Sequence, residues 1–238
     1  MTNVVIDIGN SRIKVGIFAG ATLSEKLLLK DISELSSILS RPHDHLIVSS
    51  VKEDPESILN LSSAETKIIL SSLTPLPVHV RYSTPHSLGV DRIAAICGAF
   101  QLFPLEDCLI VDMGTCINYE LLDKKGDYWG GIISPGMSMR FESMHTFTAR
   151  LPLIQATMNP TLIGDSTEAC MQSGVMNGIV EEVKGIIARV QEKYPSARVI
   201  LCGGDAPTFE NQLKPSIFAA PELVLQGLNR ILIHNVTS

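Results

Sequence analysis

The sequence predicts an α/β protein of two lobes related by duplication, with mixed sheets flanked by helices. Two observations predict it. First, VVIDIGNS at residues 4–11 and LIVDMGTC at 109–116 share one pattern: an apolar strand, an Asp, an apolar residue, a Gly, then a small hydroxyl or amide. Their acids, Asp7 and Asp112, lie about a hundred positions apart, too far for a solenoid unit but suited to two domain-sized halves. Second, short β-rich apolar runs alternate with stretches of helical period along the 238 residues. The reading places an N-terminal lobe at 1–107 and a C-terminal lobe at 108–238, with the boundary near Pro104 to Asp107 and no Pro/Gly/Ser linker between them.

The elements follow in order. Residues 3–18 read as strand, tight turn and strand, because two β-rich runs flank Gly9, Asn10 and Ser11. Residues 32–40 carry Ile32, Leu35, Ile38 and Leu39 at helical spacing. Short strands are expected at 46–51, 67–70 and 78–80. Residues 88–103 open as a Gly-containing loop and run into a helix that buries Ile93, Ile96, Ala99, Phe100 and Phe103. Residues 108–122 repeat the strand, turn and strand, and KKGDYWGG is a hairpin turn region leading into IISPGM. Residues 165–193 form one long helix with Val175, Ile179, Val183, Ile186, Ile187 and Val190 on its apolar face. Asp165 and Glu168 make its expected capping box, and Pro195 lies just past its end. RVILCGG is a strand ending in a Gly turn, and 221–234 a final amphipathic helix.

Composition narrows the function. Apolar residues make up 45% and charged residues 18%, enough for a core and without the signature of disorder. A net charge of −6 argues against a general nucleic-acid binder, which needs a basic surface to displace counterions. No apolar run is long enough to span a bilayer, and Asp7 interrupts an N-terminus that has no basic flank, so neither a membrane span nor a signal peptide is expected. Five cysteines without a C-x-x-C pair fit a reduced, cytoplasmic protein with no disulfide framework or structural zinc.

The repeated turn carries chemistry. Gly permits a turn that a Cβ would resist, and such a turn aims backbone N–H groups outward, where they can hold phosphate oxygens. Asn10, Ser11 and Thr115 add side-chain donors, and Lys14 adds a charge within reach. Each strand-end Asp is a hard oxygen ligand for a hydrated cation that offsets phosphate charge. One such turn also serves as an ordinary hairpin; two in matching strand contexts point to a polyphosphate. No G-x-x-x-x-G-K-[ST] and no post-strand G-x-G-x-x-G competes. In SLGVDR (87–92), Asp91 and Arg92 stand where loop meets helix. An Asp there can accept the proton of a hydroxyl attacking a γ-phosphoryl group, or simply cap the helix. Arg92 can pair with a carboxylate or with developing phosphoryl charge, or bond a nearby carbonyl. LCGGDA (201–206) ends a strand in a Gly-Gly turn that can floor an adenosine pocket.

Taken in order, DIGNSRIKVGIF, SLGVDR, DMGTCINYELLDKKGDYWGGIISPGM, IGDSTEACMQSGV, LCGGDA and PELVLQGL resemble the type III pantothenate kinase family, within the actin/hexokinase/Hsp70-like superfamily. The match runs nearly end to end. It implies an actin-like (ribonuclease H-like) fold and ATP-dependent phosphorylation of pantothenate, the first step of coenzyme A biosynthesis. It implies that Asp7, Ile8, Gly9, Asn10, Ser11, Arg12, Ile13 and Lys14 line the ATP phosphates, with Asp7 helping to place magnesium. It gives Thr115 an ATP contact from the other lobe and makes Asp112 the ligand of a monovalent cation, K+ or NH4+. Asp91 becomes the proton acceptor, and Tyr82, Gly89, Val90, Arg92 and Thr167 become pantothenate contacts. It further implies a homodimer, for which the helix after Thr167, with Gly174 and Gly178, is the candidate surface. The family pattern D-x-G-T-A-x-T-x-D is altered here by Cys116, Asn118 and Glu120, which bears on cation preference. A kinase of another small alcohol or sugar, and a nucleotide-binding regulatory protein, are the competing readings.

Overall fold

The residues that nucleate the fold are β-branched and apolar on both faces of their strands. In β1 (Thr2–Ile8), Val4, Val5, Ile6 and Ile8 are all buried, the pattern of a central strand covered on both sides. It pairs antiparallel with β2 (Ile13–Ala19), which pairs antiparallel with β3 (Thr22–Leu29). On its other side β1 lies parallel to β4 (His45–Ser50), which lies parallel to β5 (Thr66–Ile69), giving the order β3-β2-β1-β4-β5. The computed structural model describes residues 1–9, 12–51 and 54–237.

The second sheet uses β6 (His79–Val80), β7 (Cys108–Met113), β8 (Cys116–Leu122), β9 (Asp127–Pro135), β10 (Arg198–Cys202) and β11 (Phe218–Ala219). Its order is β11-β10-β7-β8-β9-β6, with β10 parallel to both β7 and β11. With β6 set aside, this is the first sheet again: β7 stands for β1, β8 for β2, β9 for β3, β10 for β4 and β11 for β5. The repeated sequence motif is thus the visible part of a repeated topology.

The helices are α1 (Leu35–Leu39), α2 (Pro55–Leu59), α3 (Val90–Leu102), α4 (Met137–Thr146), α5 (Thr167–Lys193), α6 (Ala206–Leu213) and α7 (Leu223–Val236). The helix expected at 32–40 begins as a 3-10 turn capped by an Asp31–Glu34 capping box before α1. The capping box expected at Asp165 and Glu168 does not form. The helix starts one residue late for it, so Ser166 is the cap and accepts from the Ala169 N–H, while Glu168 falls at the second helical position. β3, α2, α4 and α6 carry no clear sequence signal. β3 is largely exposed and breaks alternation, and α2 is a five-residue helix opened by Pro55.

Two compact units emerge. One comprises Met1–Leu105, Leu122–Gly130 and Glu222–Ser238; the other comprises Glu106–Leu121 and Gly131–Pro221. The core of the first packs β1, β2 and β4 against α1 through Val4, Ile6, Val15, Leu35, Leu46 and Val48. The core of the second packs β7, β8 and β10 against α5 and α6 through Val111, Ile117, Ile179, Val183, Leu201 and Phe209. Each such fully buried side chain contributes about 1.5–3 kcal/mol relative to leaving it in water.

In the first unit α7 crosses α3 at backbone distance. A Cβ on Gly98 would lie 2.2 Å from the Leu223 carbonyl oxygen, and one on Gly227 would lie 1.7 Å from the Ala94 oxygen. Two residues after Gly227, the buried Asn229 accepts from Asn3 Nδ2 at 2.7 Å and donates to the Gly20 carbonyl at 2.9 Å. This fastens the helix to β1 and to the β2–β3 turn. Among the described residues no helix is long and apolar enough to cross a membrane.

Gly227→Ala is expected to destabilise the protein by about 1–3 kcal/mol through overpacking of this crossing. Thermal melting followed by circular dichroism checks it; an unchanged midpoint would mean that the helices separate at no cost.

Candidate active site

In the first unit, β1 delivers Asp7 to its carboxyl end, where the residue is buried at 7% exposure. It faces Lys14 across the antiparallel pair and Ser49 on the parallel neighbour. The turn that follows closes through the Gly9 N–H donating to the Arg12 carbonyl at 3.1 Å. Ile8 and Ile13 are buried beneath it, Lys14 is half-buried and Arg12 is exposed. The expected phosphate contacts Asn10 and Ser11 lie outside the described residues.

Asp91 and Arg92 occupy the first turn of α3, with Gly89 as N-cap and Val90 as first helical residue. The helix dipole favours an anionic side chain there. Asp91 does not cap the helix in the usual way. Its Oδ1 accepts the backbone N–H of Arg92 at 2.8 Å, and the carboxylate folds back over Gly89. A Cβ at Gly89 would stand 2.6 Å from that oxygen, so glycine is there to leave the carboxylate room.

Arg92 is 8% exposed, unusual for a guanidinium. Its Nη2 donates to the Tyr128 hydroxyl at 2.9 Å, and its Cζ lies 5.4 Å from the centre of the Tyr82 ring. The Tyr82 and Tyr128 rings are stacked, 6.0 Å apart at 24°. Tyr128 comes from β9, whose start pairs with β6 in parallel: Arg81 N–H donates to the Tyr128 carbonyl, and Arg81 Nε to Asp127 Oδ1. The hairpin tip also rests on α3, since Gly126, at φ +80°, faces Phe100. The structure thus brings Tyr82 and Arg92 together and adds Tyr128, which the sequence reading did not select. Its only sequence signal was a tyrosine in the hairpin region before the Gly-Gly pair.

In the second unit, Asp112 is at the carboxyl end of β7, beside Cys202 of β10. Gly203, at φ +96°, presents no side chain there. A Cβ would fall 2.4 Å from Asp112 Oδ1 and 2.2 Å from the Met113 carbonyl oxygen. The Asp205 N–H donates to that same carbonyl at 2.9 Å, tying the Gly-Gly turn to the strand end. Thr115 is exposed in the β7–β8 turn, which Gly114 closes by donating to the Cys116 carbonyl. Gly136 packs on this turn, with its N–H on the Thr115 oxygen and a virtual Cβ 2.1 Å from the Gly114 oxygen. Glu120 is buried at 1% exposure; a Cβ on Gly131 would meet its Oε2 at 2.7 Å. Thr167 is the exposed first residue of α5.

The segment around Gly136 is held by a second feature that the sequence reading missed. Glu182 of α5 accepts from Tyr119 Oη at 2.9 Å, from Ser134 Oγ at 2.6 Å and from Arg140 Nη2 at 2.6 Å. Arg140 Nε also donates to the Pro135 carbonyl. Burial alone would raise the Glu182 pKa, but the three donors outweigh it and hold the carboxyl below its usual range. Burial and the bond to Glu182 push the Tyr119 phenol up.

A family model for type III pantothenate kinase matches residues 3–189. A type III pantothenate kinase of Cytophaga hutchinsonii is 42% identical over 98% of this chain and 100% of its own length. One from Bacteroides fragilis is 42% identical over 98% of each. The chain belongs to the type III pantothenate kinase family. Among solved structures, a Campylobacter jejuni protein described as a Baf family transcriptional activator superposes with a TM-score of 0.65 at 21% identity, covering 99% of this chain and 100% of that one. A polyphosphate/ATP-glucomannokinase from Arthrobacter gives 0.51 at 14%, covering 99% of this chain and 98% of that one. At such identities the likeness concerns the fold, which is that of the actin-like kinases, as the duplicated sheet order requires.

Because the Glu182 carboxyl is depressed, its bonds stabilise the fold fully above the unfolded carboxylate range, and that contribution is lost as pH falls through the folded value. Glu182→Gln should therefore melt below the parent at pH 7, and the gap should narrow as pH falls from about 5 towards 3. Melting curves across that range check it; a gap constant with pH would contradict the assignment.

Proposed function

We propose that the chain transfers the γ-phosphoryl group of ATP to the primary hydroxyl of pantothenate, giving 4′-phosphopantothenate for coenzyme A biosynthesis. The observation that carries the reading is the head of α3. There a carboxylate and a buried guanidinium are fixed side by side in a chain of this family. The bond from Arg92 N–H sets the Asp91 rotamer and engages Oδ1, leaving Oδ2 to receive a proton. The substrate oxygen attacks the γ-phosphorus, its proton passes to Asp91, and the bond to the ADP oxygen breaks. Most of the rate comes from in-line positioning and electrostatics. Arg92 offers planar paired donors to the pantothenate carboxylate, with Tyr82, Gly89, Val90 and Thr167 as further contacts.

On this reading Asp7 to Lys14 and Thr115 hold the nucleotide phosphates. The bound ions supply positive charge that offsets the phosphates. Asp7 would hold magnesium together with water and nucleotide phosphate. Asp112 suits K+ or NH4+: its oxygen sits beside the side-chain-free Gly203, where a Cβ would fill the space. Glu120, packed on Gly131, keeps a carboxylate in the altered motif.

A homodimer is part of the proposal. Gly174, Gly178 and Gly185 of α5 face open space, and Phe147, Leu153, Leu162 and Ile163 are exposed in the same unit. A cytoplasmic location is part of the proposal, from an odd number of cysteines without a C-x-x-C pair. The acidic net charge of −6 gives no support to nucleic-acid binding.

Purified protein should release ADP only when pantothenate is present, and faster in potassium than in sodium. Asp91→Asn should fold normally and lose about 10²–10⁴-fold in turnover. Full activity in that variant would remove the base, and ADP release with a sugar but not with pantothenate would reassign the substrate. In solution, light scattering should give twice the chain mass of 25.8 kDa.

A further inference from the structure

We infer that Tyr128 is a positioning residue for the acceptor carboxylate, acting through Arg92. The inference rests on the reading of Arg92 as the carboxylate's partner. Tyr128 is 0% exposed, so its ring and hydroxyl present no surface to a substrate. A buried phenol needs a polar partner, and here Arg92 Nη2 lies on its oxygen at 2.9 Å. A long, flexible side chain in the first turn of a helix would otherwise sample several rotamers, each aiming the fork differently. The phenol accepts from one end of the guanidinium and fixes its plane.

The fixing extends to a second wall. The Tyr128 ring stacks on Tyr82, and the same guanidinium carbon stands 5.4 Å from the Tyr82 centroid. Gly130, at φ +107°, allows the strand to pass the Tyr82 ring, which a Cβ would meet at 3.3 Å. The β6–β9 register and the Arg81–Asp127 bond hold the two tyrosine-bearing segments together. Two residues 36 positions apart in sequence, Arg92 and Tyr128, are therefore one recognition unit.

Tyr128→Phe removes one oxygen and keeps the stack. A hydrogen bond to a charged group is strong enough that its loss should raise the KM and the calorimetric Kd for pantothenate about tenfold. The kcat and the KM for ATP should stay within about twofold, and the melting temperature should hold. In an Arg92→Ala background the same substitution should add nothing, because the two residues act as one unit. The inference is overturned if Tyr128→Phe leaves pantothenate affinity unchanged while Arg92→Ala weakens it. It is equally overturned if the Tyr128→Phe effect persists in the Arg92→Ala background, which would mark a merely structural role. If Arg92→Ala and Arg92→Lys both fold and bind pantothenate as the parent does, the reading of Arg92 fails, and the inference with it.

Discussion

Helix α3 can hold its position only because it and α7 meet without side chains between them. Gly98 and Gly227 bring the two backbones to a separation that a single Cβ would prohibit. Asn229 then extends the attachment from α7 to β1 and to the β2–β3 turn. Asp91 and Arg92 begin α3, so their placement follows from a crossing on the same helix, two turns further along. A helix is stiff, and error at its packed middle appears directly at its end.

The same economy of side chains appears beside three carboxylates. Gly89 leaves space for Asp91, Gly203 for Asp112 and Gly131 for Glu120. At only one of the three, Gly203, is φ positive. At the other two the requirement is room rather than backbone freedom. The duplicated halves therefore share strand order but differ in how their first turns close. Gly9 donates to the third residue on and Gly114 to the second.

A guanidinium removed from water is costly unless its donors are used. The Tyr128 hydroxyl and the face of Tyr82 meet part of that cost for Arg92. On the proposed reading burial is useful: a guanidinium already stripped of much of its water and held in one plane would give up little more on receiving an anion.

The sequence by itself determined the strand-turn-strand pairs around Asp7 and Asp112, helix α3 with Asp91 and Arg92 at its start, the long α5, and the family. Each is a local matter: apolar periodicity, a glycine after an acid, and ordered short motifs are all read within a few residues. Residues whose meaning depends on distant partners were not legible. Tyr128 reads as an ordinary hairpin tyrosine until β6 brings Tyr82 beside it. Glu182 reads as one more charge on a helix until Tyr119, Ser134 and Arg140 converge on it. The N-cap at Ser166 rather than Asp165 turned on a shift of one residue, which periodicity does not resolve. The closing helix α7 looks amphipathic in sequence, yet Leu223, Leu225, Leu228, Ile231 and Leu232 are all buried, because α3 and the first sheet cover it. Local patterns specify which elements form; only close packing between elements remote in sequence decides which side chains share a site.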